Sequence, residues 1–257
     1  MVFINQRVER RFSIEIMDIK LQPRAATLVR APAFAHLTTK TLQQLAATAT
    51  ELTLKPGGLV FARGAPATGL YVIATGHLVL SMQSPQGAEH VIELMQPGDS
   101  FGEAALLTGQ AHLVTAAAVT ACVLLRIDRR SLINAITRDR EFALNVIATL
   151  SEQIYRQTGA LENLLFLRAS GRVARFIFAR LKLDDTIAGH RVALPVRKGL
   201  IASHLNMTQE HFSRTLHELS TAGLIRVDGV MVDVIDIEKL RDAAGLLRIS
   251  ENAGQAS

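Results

Sequence analysis

The chain has 257 residues, 49% of them apolar, and a formal net charge of +5 from 28 Lys and Arg against 23 Asp and Glu. That apolar share excludes a chain disordered throughout; no apolar run reaches the ~20 residues of a membrane span, and no signal-peptide pattern opens the chain, so a cytoplasmic location is expected. The single Cys122 excludes an internal disulfide and an iron–sulfur cluster bound by this chain alone, while a pI near 9.8 favours a polyanionic partner.

Residues 1–30 carry six Arg or Lys against three acids with weak periodicity, which reads as a loosely held extension with one short helix around Ser13–Lys20. Leu42 and Leu45 at helical spacing predict a short helix over Thr39–Ala49. From Glu51 to Arg129 short apolar runs alternate with turn residues. ELTL precedes Pro56-Gly57-Gly58, LVFA precedes Arg63-Gly64, LYVIA precedes Thr75-Gly76, HLVLSM precedes Ser84-Pro85-Gln86-Gly87, and HVIELM precedes Gln96-Pro97-Gly98. Two more runs cover Leu113–Val119 and Ala121–Ile127; the second contains Cys122, read as a buried small hydrophobe. Seven such strands predict an antiparallel sandwich or jelly roll. Between them, Phe101–Gly109 reads as a helical turn whose free N–H groups would point into the barrel as an anion site.

Arg140–Arg168 is a long helical run with apolar residues at Ala143, Ile147, Leu150, Ile154, Leu161 and Leu164, in steps of three and four interrupted by polar Gln157. Such a seam fits a partner helix, and a buried core helix fits the periodicity equally. Ser170–Leu183 is a second helix with Val173, Phe176, Ile177 and Leu181 on one face, broken by Asp184-Asp185 and Gly189, and Arg191–Pro195 reads as a strand.

The most specific pattern follows. Arg197–Leu205 is a helix, Asn206-Met207-Thr208 a turn, and Gln209–Thr221 a second helix with Thr208 as N-cap and Gly223 closing it. The second helix sets Phe212, Leu216 and Leu219 on one side and Glu210, Ser213, Arg214 and His217 on the other. Leu224–Val227 and Val230–Ile235 flank an Asp-Gly hairpin turn, a wing. Two helices across a three-residue turn, with a polar second face, match a winged helix-turn-helix. Glu210 and Arg214 also suit an ordinary i,i+4 surface pair; with the motif and wing around them, DNA reading is the stronger interpretation.

A glycine-punctuated jelly roll, a seam helix and a winged helix-turn-helix in this order resemble the catabolite activator/fumarate-nitrate regulator (CRP/FNR) superfamily over residues 31–245. The resemblance runs through PGGLVFARG (56–64), GLYVIATGHLVL (69–80), PGDSFGEAALLTG (97–109) and TQEHFSRTLHELSTAGLI (208–225). It implies a non-enzymatic, homodimeric transcription factor whose partners are double-stranded DNA, a second copy of the chain, a small-molecule or gas effector and RNA polymerase, with no membrane. It divides an α+β chain into a basic N-terminal extension (1–30), a jelly-roll effector-sensing domain (31–139), a dimerisation helix (140–168), a winged helix-turn-helix (169–245) and a tail (246–257).

The resemblance implies DNA contacts at Arg197, Lys198, Thr208, Gln209, Glu210, Ser213, Arg214 and His217, and dimer contacts at Ile147, Leu150, Ile154, Leu161 and Leu164. Glu210-x-x-Ser213-Arg214 is similar to the signature of the fumarate-nitrate branch, which favours TTGAT-type inverted repeats. The implied effector pocket takes in Gly102, Glu103, Ala104, His112, Leu113, Gln157 and Thr158. Cyclic-nucleotide binders of the superfamily carry Arg-Ser or Arg-Ala where His112 and Leu113 stand, so cyclic AMP is disfavoured here. Stretches such as ASHLNMTQEHFSR are similar to the nitric-oxide-responsive, haem-linked denitrification regulators. Haem would draw an axial ligand from His36, His77, His90, His112 or Met95, and no spacing singles one out. His204, in the first helix of the DNA module, suits a structural or phosphate-facing role. The alternatives are a cyclic-nucleotide-responsive regulator and a cupin-like metalloenzyme; scattered His77, His90 and His112 without an HxH pair speak against the latter.

Overall fold

The computed structural model describes residues 23–35, 37–181 and 190–246. The helix expected over Ser13–Lys20, His36 and the Asp184-Asp185/Gly189 break lie outside the described residues, as does the tail after Leu246.

The expected loose extension is corrected over its last residues. Pro23–Val29 forms a helix, α1, whose Ala25 and Leu28 are buried in the core of the following domain. A 3₁₀ turn, Pro32–Phe34, then inserts Phe34 against Phe142, with ring centroids 5.4 Å apart. Helix α2 spans Thr39–Thr48, capped by the Thr38 hydroxyl, which accepts from Thr41 N–H at 3.3 Å.

Eight strands make the sandwich: β1 (Thr50–Leu54), β2 (Leu59–Phe61), β3 (Leu70–Thr75), β4 (Leu78–Gln83), β5 (Glu89–Met95), β6 (Ser100–Phe101), β7 (Thr115–Ala118) and β8 (Cys122–Ile127). Seven coincide with the runs read from the sequence; the two-residue β6 is additional. They pair antiparallel into two four-stranded sheets, β1-β8-β3-β6 and β2-β7-β4-β5, leaving β5 on an edge. Gly76 turns the chain between β3 and β4 at φ 87°; a Cβ there would stand 2.3 Å from the Ala121 carbonyl oxygen and 2.5 Å from Cys122 Sγ. Only glycine permits that approach. Cys122 is buried, as its apolar surroundings predicted, and its thiol donates to the His77 carbonyl at 3.3 Å. The expected turn after β6 is α3, Glu103–Thr108, bounded by Gly102 and Gly109 in left-handed conformation.

Two helices close the barrel. Helix α4 (Arg129–Arg138) is capped by Asp128, and α5 (Arg140–Phe166) by Asp139. Helix α5 ends two residues earlier than expected, with Leu167 in extended conformation. Its first turns are anchored by buried Phe142 and Val146; beyond them no residue of the helix is fully buried.

A second core belongs to the C-terminal domain: α6 (Ala169–Phe178), β9 (His190–Ala193), α7 (Lys198–His204), α8 (Gln209–Thr221), β10 (Ile225–Asp228), β11 (Met231–Val234) and α9 (Ile237–Ala243). Strands pair in the order β10-β11-β9, with the wing turn at Asp228-Gly229. Helix α9 is not among the elements read from the sequence; its Leu240 is buried in the domain core and Asp236 caps it. Among the described residues no helix is long and apolar enough to cross a membrane.

Candidate nucleic-acid interface and effector pocket

Helix α8, expected to read DNA, is built by its own sequence. Asn206 takes a left-handed φ of 53° to turn the chain between α7 and α8, a conformation that asparagine tolerates better than most side chains. Thr208 then caps α8, its hydroxyl accepting from His211 N–H at 3.2 Å. Phe212, Thr215, Leu216 and Leu219 are buried beneath the helix, which fixes its rotation. Glu210, Ser213, Arg214 and His217 are thereby left exposed on the opposite face, as the spacing predicted. The Glu210 carboxyl is drawn below the usual range by its own backbone N–H and by the Thr208 hydroxyl, so it stands ionised as an acceptor. Gln209 is also exposed, its Oε1 so close to α7 that a Cβ at Gly199 would meet it at 2.8 Å. Arg197 is exposed and Lys198 half-buried at the start of α7.

Two guanidiniums that the sequence reading passed over hold this module to the long helix. Arg172 donates to the Leu205 carbonyl at 3.0 Å and to the Leu167 carbonyl at 2.9 Å, joining the end of α7 to the end of α5. Arg175 donates to Asn163 Oδ1. Neither was foreseeable from periodicity, because both partners lie on other elements.

Of the residues expected to line an effector pocket, some are buried in the barrel domain and others are not. Gly102 at φ 91° presses against the Gly69 carbonyl and the Tyr71 ring, where a Cβ would sit at 3.0 and 3.2 Å. Glu103 is 7% exposed and its Oε2 has no hydrogen-bond partner. The expected anion site at the start of α3 is therefore corrected: the helix's own first residue brings a buried carboxyl there. Burial, then the neighbouring Glu93, push the Glu103 carboxyl up; its own backbone N–H, Gln153 and Arg156 pull the other way. Glu93 and Asp99 are also raised, chiefly by burial, with Arg156 acting against the rise in both. One guanidinium thus serves three carboxyls contributed by β5, the β5–β6 turn and α3. Glu93, Asp99, Gln153 and Arg156 are absent from the sequence-predicted pocket; Gln153 and Arg156 lie three apart on a helix, the one signal that could have linked them.

His112 is buried, stacked on Phe61 with centroids 3.5 Å apart, and its Nε2 has no partner. Burial lowers its pKa, which favours the neutral ring. Leu113 is 68% exposed and is corrected out of the pocket, since the chain approaching β7 alternates its faces and turns His112 in. Ala104, Gln157 and Thr158 are exposed, and the Thr158 hydroxyl donates back to the Ile154 carbonyl. As haem donors the described candidates do not fit: His90 is exposed at one end of β5, Met95 is buried at the other, and His77 sits half-buried in the β3–β4 turn. A porphyrin beside His112 would have to open the Phe61, Tyr71 and Phe101 core. Among the described residues no group of three or more His, Cys, Asp or Glu could hold a metal ion.

On the expected dimer face, Ile147, Ile154, Leu161 and Leu164 are 45–65% exposed. Leu150 is the exception: half-buried, it packs against the core of its own barrel. Tyr155, Leu165 and Phe166 add exposed apolar surface.

Comparison with known proteins matches residues 51–139 to the cyclic nucleotide-binding domain family and residues 171–243 to the Crp-like helix-turn-helix domain family. The "Cyclic AMP receptor protein" of Thermus thermophilus is 30% identical over 188 residues, 73% of this chain and 85% of that protein. The "CRP-like cAMP-activated global transcriptional regulator" of Mycobacterium tuberculosis is 27% identical over 186 residues, 72% of this chain and 83% of that protein. The solved structure of FixK2 from Bradyrhizobium japonicum superposes with a TM-score of 0.68 at 25% identity, covering 76% of this chain and 96% of that one. The Mycobacterium tuberculosis relative is by its name a transcriptional regulator.

Proposed function

The chain belongs to the CRP/FNR family of transcriptional regulators, and we propose that it acts as a homodimer on an inverted-repeat operator under the control of an effector other than a cyclic nucleotide. The observation that carries the DNA reading is the exposed polar face of α8, backed by the Thr208 cap, a buried apolar face and a wing. On a major groove Arg214 can bond guanine O6 and N7, Glu210 can accept from cytosine N4, and Ser213 can reach a base or a phosphate. Glu210-x-x-Ser213-Arg214 supports TTGAT-type half-sites. Arg197 and Lys198 suit phosphates, which position the module without reading sequence.

A second copy is the occupant proposed for the exposed seam of α5, because Ile147, Ile154 and Leu161 recur every seven residues and a two-fold DNA reader needs two reading helices at fixed separation. Half-site centres then lie about 34–36 Å apart. The effector would act at the junction of barrel and α5 by binding the DNA-competent arrangement more tightly than the other.

A cyclic nucleotide is the second reading, favoured by the match of residues 51–139 to the cyclic nucleotide-binding family. The pocket chemistry opposes it. A phosphate there meets three carboxyls and one guanidinium, and neutral His112 offers no charge to offset them. Fluorescence anisotropy with a labelled TTGAT-type inverted repeat tests the main reading: saturable binding that a scrambled duplex fails to compete supports it, and equal competition by both duplexes sinks it.

A further inference from the structure

The DNA module is seated on the barrel through the edge strand β5, and the contact is made by α7, the first helix of the helix-turn-helix. An uncovered edge strand presents unpaired backbone groups. Here α7 fills them with side chains. Val91 N–H donates to Ser203 Oγ at 3.0 Å, and the Ser203 hydroxyl reaches the Glu89 carbonyl at 3.4 Å. His204 Nδ1 lies 3.1 Å from the Ile92 carbonyl, a distance at which the protonated nitrogen donates. Leu94 of the same strand packs against the core of the C-terminal domain. Behind the imidazole, the Phe176 ring meets it edge-on at 6.3 Å, and the Arg180 guanidinium lies 3.6 Å over the Phe176 ring.

We infer that Ser203 and His204 are positioning residues: by pairing with the β5 edge they set the orientation in which the barrel presents the reading helix to DNA. The inference rests on the DNA-reading role proposed above. Three features support it. The joint leaves Glu210, Ser213, Arg214 and His217 exposed, so the seated module is free to read. The joint is tied to the long helix, since Arg172 links Leu205, next to His204, to Leu167 at the end of α5. And β5 itself carries Glu93, which lies in the field of Arg156 on α5 and of Asp99, so a ligand that shifts β5 shifts the seat of α7.

The joint also has a built-in readout. His204 is held below its ordinary pKa by burial, then by Arg180, with the Ile92 carbonyl acting in the opposite direction. Of the other charged groups on the packed elements, Arg172 of α6 is committed to two backbone carbonyls, Glu89 of β5 accepts the Ser81 hydroxyl, Glu93 lies in the field of Arg156 and Asp99, His90 is exposed, and Lys198 stands at the far end of α7. A lowered imidazole pKa means the unseated module binds more protons. Seating is therefore at full strength above about pH 6.5 and weakens below it by up to about tenfold per pH unit.

The test uses the full chain, following hydrogen exchange of β5 amides and anisotropy with the inverted-repeat duplex. In Ser203→Ala/His204→Ala, β5 exchange should rise and operator affinity fall, each about tenfold or more, the scale of the lost hydrogen bonds, while Ser203→Thr restores both. His204→Gln should flatten the loss of operator affinity between pH 7.5 and 5.5, values chosen to straddle the ordinary imidazole pKa of about 6.5. The parent and the variant share every other titratable group, so the difference between the two profiles isolates His204. Raised β5 exchange with unchanged operator affinity would overturn the inference and leave the DNA reading intact. Identical pH profiles for His204→Gln and the parent would also overturn it. Failure of the parent to distinguish operator from scrambled duplex would overturn the DNA reading, and this inference with it.

Discussion

His112 lies flat on Phe61, ring centroids 3.5 Å apart and planes 4° from parallel, inside the barrel. A neutral imidazole packed this way cannot do the work of a guanidinium toward a phosphate. Adding cyclic AMP is accordingly expected to leave the thermal midpoint unchanged up to about 1 mM, whereas a ligand present at a hundred times its Kd would stabilise the fold by about 2.7 kcal/mol. A dose-dependent rise in a thermal-shift titration would show that the pocket accommodates the anion after all.

Glu103, buried at the start of α3, carries a pH signature of its own. A carboxyl raised by burial destabilises the fold as pH climbs through its folded-state pKa, and the penalty is relieved as pH falls toward its unfolded value near 4.3. Glu103→Gln should raise stability at pH 7 by about 1–3 kcal/mol, the scale on which burial penalises the ionised carboxyl that the amide replaces, and the gain should shrink as pH is lowered to 5. Urea unfolding of both proteins at the two pH values measures it. An equal gain at both would place the effect in packing instead.

Asp139 predicts the opposite dependence. Its Oδ2 accepts the Thr41 hydroxyl at 2.8 Å and the Thr38 hydroxyl at 3.1 Å, and its Oδ1 accepts Phe142 N–H at 3.1 Å. Burial pushes this carboxyl up, but the Phe142 N–H and the two threonine hydroxyls outweigh burial, leaving it below the ordinary range. Its stabilisation is complete above about pH 3.9 and is lost as pH falls through the lower folded-state value. Asp139→Ala should cost about 0.5–2 kcal/mol at pH 7 as a lost helix cap, and the difference from the parent should narrow on acidification below pH 4.

These contrasts mark what the sequence could reveal. The helix-turn-helix was legible because a buried face, an N-cap and a turn agree within sixteen or so residues, and the same holds for strands bounded by glycine turns. Strand β6 has two residues, too few for any period, and the seven residues of α1 read as part of a charged leader. His112 and Leu113 were paired by their place in the chain, yet their phase depended on which face the barrel closes over. Glu93, Asp99, Glu103 and Arg156 meet only because four separate segments converge, β5, the β5–β6 turn, α3 and α5, which no local pattern records.

Arg214 and Arg197 separate base reading from phosphate contact. Arg214→Ala should cost about 1–3 kcal/mol on the operator and flatten discrimination at one guanine position. Arg197→Ala should weaken operator and scrambled duplex alike and reduce the salt slope by about 1. Anisotropy across a salt series, with single-base operator variants, distinguishes the two. If Arg214→Ala kept the parent's ratio between duplexes, that guanidinium would not be a base reader.

Ile154 tests the seam of α5. It is 65% exposed in the single chain, so Ile154→Glu should leave the protomer's own fold and circular dichroism unchanged. Across a parallel two-fold axis the substitution removes two isoleucines from the seam, each contributing about 1.5–3 kcal/mol on burial, and sets two carboxylates face to face. The dimer constant should weaken by roughly a hundredfold or more, at about 1.4 kcal/mol per tenfold, read by sedimentation against a Glu152→Ala control. A monomer carries one reading helix and can engage one half-site, so operator binding should become dependent on protein concentration over the range where the dimer dissociates. Sedimentation as an undisturbed dimer would require a different surface to relate the two reading helices, and the seven-residue recurrence of Ile147, Ile154 and Leu161 would then need another occupant.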